Sequence, residues 1–130
     1  MNLAKSFLIA GAVYLLLGLF VGIIMGIIAD HGMMPLHAHI NLLGFTLMTV
    51  FGLCYLALPA LGGVLGRLHF WLHQIGTAGM VIGLYLKYGP PANTDMGEMF
   101  LVPFSLLVVA GSAVWVINII SGFDRATKRV

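Results

Sequence analysis

Met34-Pro35-Leu36-His37-Ala38-His39-Ile40-Asn41-Leu42-Leu43-Gly44-Phe45 opens a long apolar run and carries two histidines two residues apart. Proline in the first turn places a helix start at Met34 to Leu36. The run stays free of Asp, Glu, Lys and Arg through Leu58, long enough to cross about 30 Å of hydrocarbon at about 1.5 Å per residue. An imidazole near hydrocarbon is uncommon and needs a partner. Each residue turns a helix by about 100°, so His37 and His39 diverge by roughly 200°. They cannot grip one ligand together, but each can grip a different one.

Composition agrees with a membrane setting. Of 130 residues, 61% are hydrophobic and 8% charged, and the mean hydropathy is +1.08. A small water-soluble domain carries far more charge. A net charge of +2 gives no argument for nucleic acid. The single cysteine, Cys54, excludes an internal disulfide and reads as a small apolar residue mid-membrane. The first apolar segment has no small-residue cleavage site and is too long for a signal peptide, so it reads as a retained span.

Four uncharged runs are long enough to span: Ser6 to Ala29, Pro35 to Leu58, Leu68 to Leu86 and Met99 to Gly122. Turn chemistry separates them at Asp30-His31-Gly32, at Pro59 to Gly66 and at Tyr88 to Asn93. The expected fold is an all-α membrane protein, one four-helix transmembrane domain over 1–130, with antiparallel neighbours. Lys5, Arg67, Arg125, Lys128 and Arg129 fall on one side, and Lys87 alone on the other with Asp30, Asp95 and Glu98. The basic residues predict both termini in the cytoplasm of a bacterial inner membrane. His31, His37 and His39 then lie near the outer face, and His69 and His73 near the inner one. Asp30, Asp95 and Glu98 read as solvated loop charge, not an acid–base pair, and Asp124 with Arg125 as a cytoplasmic helix end. Gly18, Gly22 and Gly26 form a small-xxx-small line, which reads as close helix packing. Gly76, Gly79 and Gly83 with Gly111-Ser112-Ala113 add to the expectation of self-assembly.

A lone histidine at a helix start reads as an interfacial imidazole bonded to water or headgroups. Two of them, about 3 to 8 Å below the helix start, favour a cofactor reached from the outer face. Asn41 stands on the flank of His37 as a supporting partner. Gly44, two turns on, is expected to leave a flat space for a large planar ligand. Imidazole suits iron, copper and zinc, and haem iron takes axial histidine. A bis-histidine haem needs a second helix or a second copy. His31 is the other histidine on that side, and a neighbouring copy is the alternative. His37 of one copy facing His39 of the next makes a head-to-tail interface, which closes into a ring.

His-x-His at the outer end of a membrane helix resembles the catalytic subunit of haem-copper oxidases and nitric oxide reductases. Leu68-His69-Phe70-Trp71-Leu72 is similar to an inner-side helix start in that family. Its twelve spans form three four-helix units with histidines on the second helix of each, and this chain resembles one such unit. The resemblance implies haem b, one per chain, held by His37 and His39 between copies of a homo-oligomer, a trimer being favoured. It implies electron transfer or redox sensing, with an unidentified donor or quinol. The family's copper ligands at the outer end of the third helix are missing from Leu84-Tyr85-Leu86-Lys87-Tyr88, so oxygen reduction is not expected.

His69 and His73, at i and i+4, share a helix face and have the spacing of a metal pair. With Trp71 beside them they read first as an inner-interface face. The rival classes are a haem-free assembly or transport protein binding copper or zinc through its histidines, and a purely structural membrane module.

Overall fold

The computed structural model describes residues 2–127, with side chains through residue 124. Lys128 and Arg129 and the side chain of Arg125, used above for orientation, lie outside the described residues. The chain forms four helices: α1 (Leu3–Ile28), α2 (Met34–Ala57), α3 (Val64–Tyr88) and α4 (Thr94–Thr127). α1 starts three residues before its uncharged run, α2 matches its run to within one residue at each end, and α3 and α4 run past both ends of theirs, because caps and turns, not charges, end a helix. Asn2 caps α1 by accepting from the Lys5 amide at 3.1 Å, and Asn93 caps α4 by accepting from Met96 at 3.0 Å. Ala29 ends α1 in the left-handed region, at φ 52° and ψ 28°. The turn that sequence placed at Asp30-His31-Gly32 therefore begins one residue earlier.

Among the described residues, three helices are long and apolar enough to cross a membrane: Leu3–Ile28, Met34–Ala57 and Thr94–Asp124. α3 has the length, with 25 residues, but carries Arg67, His69, His73, Gln74 and Thr77. His69, His73 and Thr77 have no exposed surface, so this polarity points into the bundle.

α1 packs along α2, and α3 packs along α4. The two hairpins meet in an aromatic core. Phe7 from α1, Phe51 and Tyr55 from α2, His69 and Phe70 from α3 and Trp115 from α4 lie with ring centroids 4.4 to 5.9 Å apart. Outward, α1 presents Leu16, Phe20, Ile23 and Ile27, all more than half exposed, a surface suited to lipid.

α2 is not uniform. Ile40–Leu47 is a π-helical segment inside it. The wider turn re-aims side chains and loosens the carbonyl ladder, which is why such segments gather at functional sites. It begins directly after His39 and contains Asn41, Leu43 and Gly44.

Candidate functional site

The glycine line of α1 decides where His37 goes. Its Nδ1 lies 2.9 Å from the Gly18 carbonyl oxygen. A Cβ on Gly22 would sit 2.9 Å from His37 Cε1, and one on Gly18 would meet the Asn41 carboxamide at 2.5 Å. Gly26, third in the line, has nothing within 4 Å. The line is therefore spent inside the chain, on seating His37 and Asn41. Asn41 Nδ2 donates to the His37 carbonyl at 2.8 Å and stands 3.4 and 3.5 Å from the two ring nitrogens. The expected pairing of His37 with Asn41 is present.

His39 points elsewhere. It is half-buried, and its Nδ1 lies 2.7 Å from the Pro35 carbonyl oxygen of its own helix. A carbonyl only accepts, so in both histidines Nδ1 carries a proton, and in the neutral ring Nε2 is the nitrogen with the lone pair. His31 is exposed and lies in the loop after α1. The flat space expected beside Gly44 is filled: the Tyr14 ring packs against Gly44 so closely that a Cβ there would run into it. The missing side chain accommodates an aromatic ring of this chain, not a ligand. Tyr14 in turn accepts from Gln74 Nε2 at 3.4 Å.

The second pair departs further from its first reading. His69 and His73 are fully buried, with ring centroids 5.9 Å apart; they are not an interfacial face. α3 begins at Val64, four residues before the uncharged run, and Phe7, Phe51, Tyr55 and Trp115 from the other three helices cover the pair. Trp71 is 53% exposed and does point outward, as a belt residue would. His73 Nε2 donates to the Leu43 carbonyl of the π segment at 3.2 Å. His69 Nδ1 and the Tyr55 hydroxyl are 3.0 Å apart. Asn118 Nδ2 donates to the Tyr55 oxygen at 3.3 Å and to the Leu61 carbonyl at 2.9 Å. His69 Nε2, His73 Nδ1, Gln74 Oε1 and Thr77 Oγ1 are buried without a hydrogen-bond partner.

No family model, no curated protein and no solved structure matches this chain. The likeness to haem-copper oxidases rests on the residues quoted above and on nothing further.

The sequence reading missed Tyr55, Asn118 and Trp115. Asn118 was the available signal: it is a lone carboxamide inside the apolar run of α4, and such a group is bonded or costly. Tyr55 carries no signal of that kind, because tyrosine is ordinary in an apolar helix. Among the described residues, no three His, Cys, Asp or Glu side chains converge. The site offers two pairs of imidazoles, which suit axial ligation or hydrogen-bond relays.

Proposed function

We propose that this is a membrane b-type haem protein of four spans in which His37 of one copy and His39 of the next supply the axial ligands. The observation that carries the reading is the paired Nδ1 contacts, to Gly18 oxygen at 2.9 Å and to Pro35 oxygen at 2.7 Å. A metal-bound histidine usually donates its other N–H to a carbonyl or carboxylate, which sets the tautomer and raises ligand basicity. Both rings meet that condition. Haem iron asks for two axial ligands, not a cluster. The rings diverge, so the partner ligand comes from a neighbouring copy, and a head-to-tail junction repeated around a ring gives one haem per chain. Tyr14 occupies the recess at Gly44, which supports a porphyrin seat between copies over one at that recess. The bound haem supplies reversible one-electron transfer. Gly18 and Pro35 orient the two imidazoles, and Asn41 braces His37. With His37 and His39 both bound the iron would have no open position, which fits electron transfer or redox sensing over oxygen reduction.

The test is a spectrum with a count. Protein expressed with ample haem and purified in detergent should show a Soret band, with sharp α and β bands on reduction. His37→Ala and His39→Ala should each lose most of the haem. Coexpressed, they should regain part of it, because a junction between unlike copies keeps both histidines. A colourless wild-type preparation would sink the haem reading and leave the copper- or zinc-binding alternative. Monomers that each hold a full haem would sink the ring.

A further inference from the structure

We infer that His69 and His73 form a buried proton relay with one water seated between them, separate from the outer histidines. The hydrogen bonds run in one direction. Asn118 Nδ2 is a donor only, and it donates to the Tyr55 oxygen. Tyr55 is 3% exposed, and among the described residues its O–H has one acceptor, His69 Nδ1 at 3.0 Å. Nδ1 therefore holds a lone pair, and Nε2 of His69 carries the proton. Next along the face, His73 Nε2 donates to Leu43 oxygen. A carbonyl cannot donate, so His73 Nδ1 is a lone pair.

The two nitrogens left over are complementary: His69 Nε2–H is a donor without an acceptor, and His73 Nδ1 an acceptor without a donor. The rings are one turn apart on α3, 5.9 Å between centroids, and do not bond directly. One water spans groups about 5 Å apart with two hydrogen bonds of about 2.9 Å. Buried water takes such seats, where polar groups would otherwise be unpaired. Thr77, one turn beyond His73 and also fully buried with its hydroxyl unpartnered, continues the same face.

The assignment also separates water from metal. A metal ion needs lone pairs on both inner nitrogens. That requires the other tautomer of His69, with its N–H toward Tyr55 and the Tyr55 O–H turned away from the ring. The rings around the pair are Phe7, Phe51, Tyr55 and Trp115, and none carries charge. Tyr55 lines a surface cavity of about 310 Å³ with Asn2, Ala4, Pro59 and Gly62, so the relay opens at the Pro59 end. A proton arriving there binds the Tyr55 oxygen as its O–H proton passes to His69 Nδ1. The Nε2–H bond then breaks to the water, and the water gives a proton to His73 Nδ1. One proton enters at Tyr55 and one is held on His73; His69 is left with its proton on Nδ1, so its ring must return to the first tautomer before a second proton can pass.

The test is magic-angle-spinning NMR of full-length, ¹⁵N-histidine-labelled protein in lipid bilayers, with assignments from His69→Gln and His73→Gln. Both rings should be neutral, with pyrrole-type Nε2 and pyridine-type Nδ1, and His69 Nε2–H should show transfer from water. In D₂O the His69 Nε2–H should exchange ahead of the backbone amides of Gly76 and Thr77. Tyr55→Phe should shift His69 Nδ1 and leave the His73 pair unchanged. A pyrrole-type Nδ1 on either ring, no water transfer, exchange as slow as the amides, or an unmoved His69 in Tyr55→Phe would each overturn the relay. Addition of cuprous ion should leave the wild-type His69 and His73 shifts in place, and their loss would replace the relay with a metal site.

Discussion

Gly22 and Gly26 lie one helical turn apart in identical local sequence roles, yet only one has a neighbour. Gly22 backs onto the His37 ring and Gly26 onto nothing within 4 Å. Gly22→Ala should therefore lower thermal stability, by about 1–3 kcal/mol for an overpacked contact, and should reduce haem content by displacing His37. Gly26→Ala should do neither, and should gain slightly from helix propensity. Thermal unfolding and the haem-to-protein ratio of the two variants, side by side, check this; equal behaviour would show that His37 is not seated on Gly22. Asn118 is the second single-residue case. Asn118→Leu removes donors from both Tyr55 and the Leu61 carbonyl, and unpaired buried acceptors cost about 1–3 kcal/mol each. Unfolding in detergent should register a loss in that range.

At the scale of elements, the π segment matters most. Ile40–Leu47 holds an extra residue relative to an α-helical path and presents the Leu43 carbonyl to His73. Deleting Leu42, which is 58% exposed, should let α2 return to α-helical register. That would rotate the His37 half against the Met48 half by about 100°. The expected outcome is a folded but less stable protein that has lost haem; retention of wild-type haem would show that the segment does not aim the histidines. The far end of the α3–α4 hairpin gives a pH prediction. Lys87 Nζ lies 2.9 Å from Glu98 Oε1, and that hydrogen bond raises the lysine above its ordinary 10.5. A raised lysine contributes stability fully below 10.5, and the contribution disappears as pH climbs through the raised value. The melting temperature of Lys87→Met should therefore sit slightly below wild type up to about pH 10 and meet it at higher pH. The gap should be small, because the pair is at the surface.

At the scale of the whole molecule, the arrangement in the membrane is open to direct measurement. The four-span reading puts five of the six Lys and Arg on one side, and under it a reporter fused after Val130 should be active only in the cytoplasm. Periplasmic activity there would invert the bundle and put His37 and His39 at the inner face. Native mass spectrometry should find three chains and three haems together, and a count of chains without matching haems would separate assembly from cofactor binding.

The sequence by itself determined four helices, their turns to within a few residues, and the contact of His37 with Asn41. These follow from local rules: apolar runs, capping residues and a spacing of four on one helix. It did not determine what lies across a helix interface. Gly44 reads as open space until Tyr14 arrives from α1, because a missing side chain specifies room and not its occupant. His69 and His73 read as interfacial because Trp71 lies beside them in sequence, and they are buried because Phe7, Phe51, Tyr55 and Trp115 arrive from three other helices to cover them. The partners of His69 lie 14 residues away at Tyr55 and, beyond it, at Asn118, another 63 residues along the chain. Such pairings depend on how two hairpins cross, and crossing is settled by the shapes of packed side chains, which no single stretch of sequence contains.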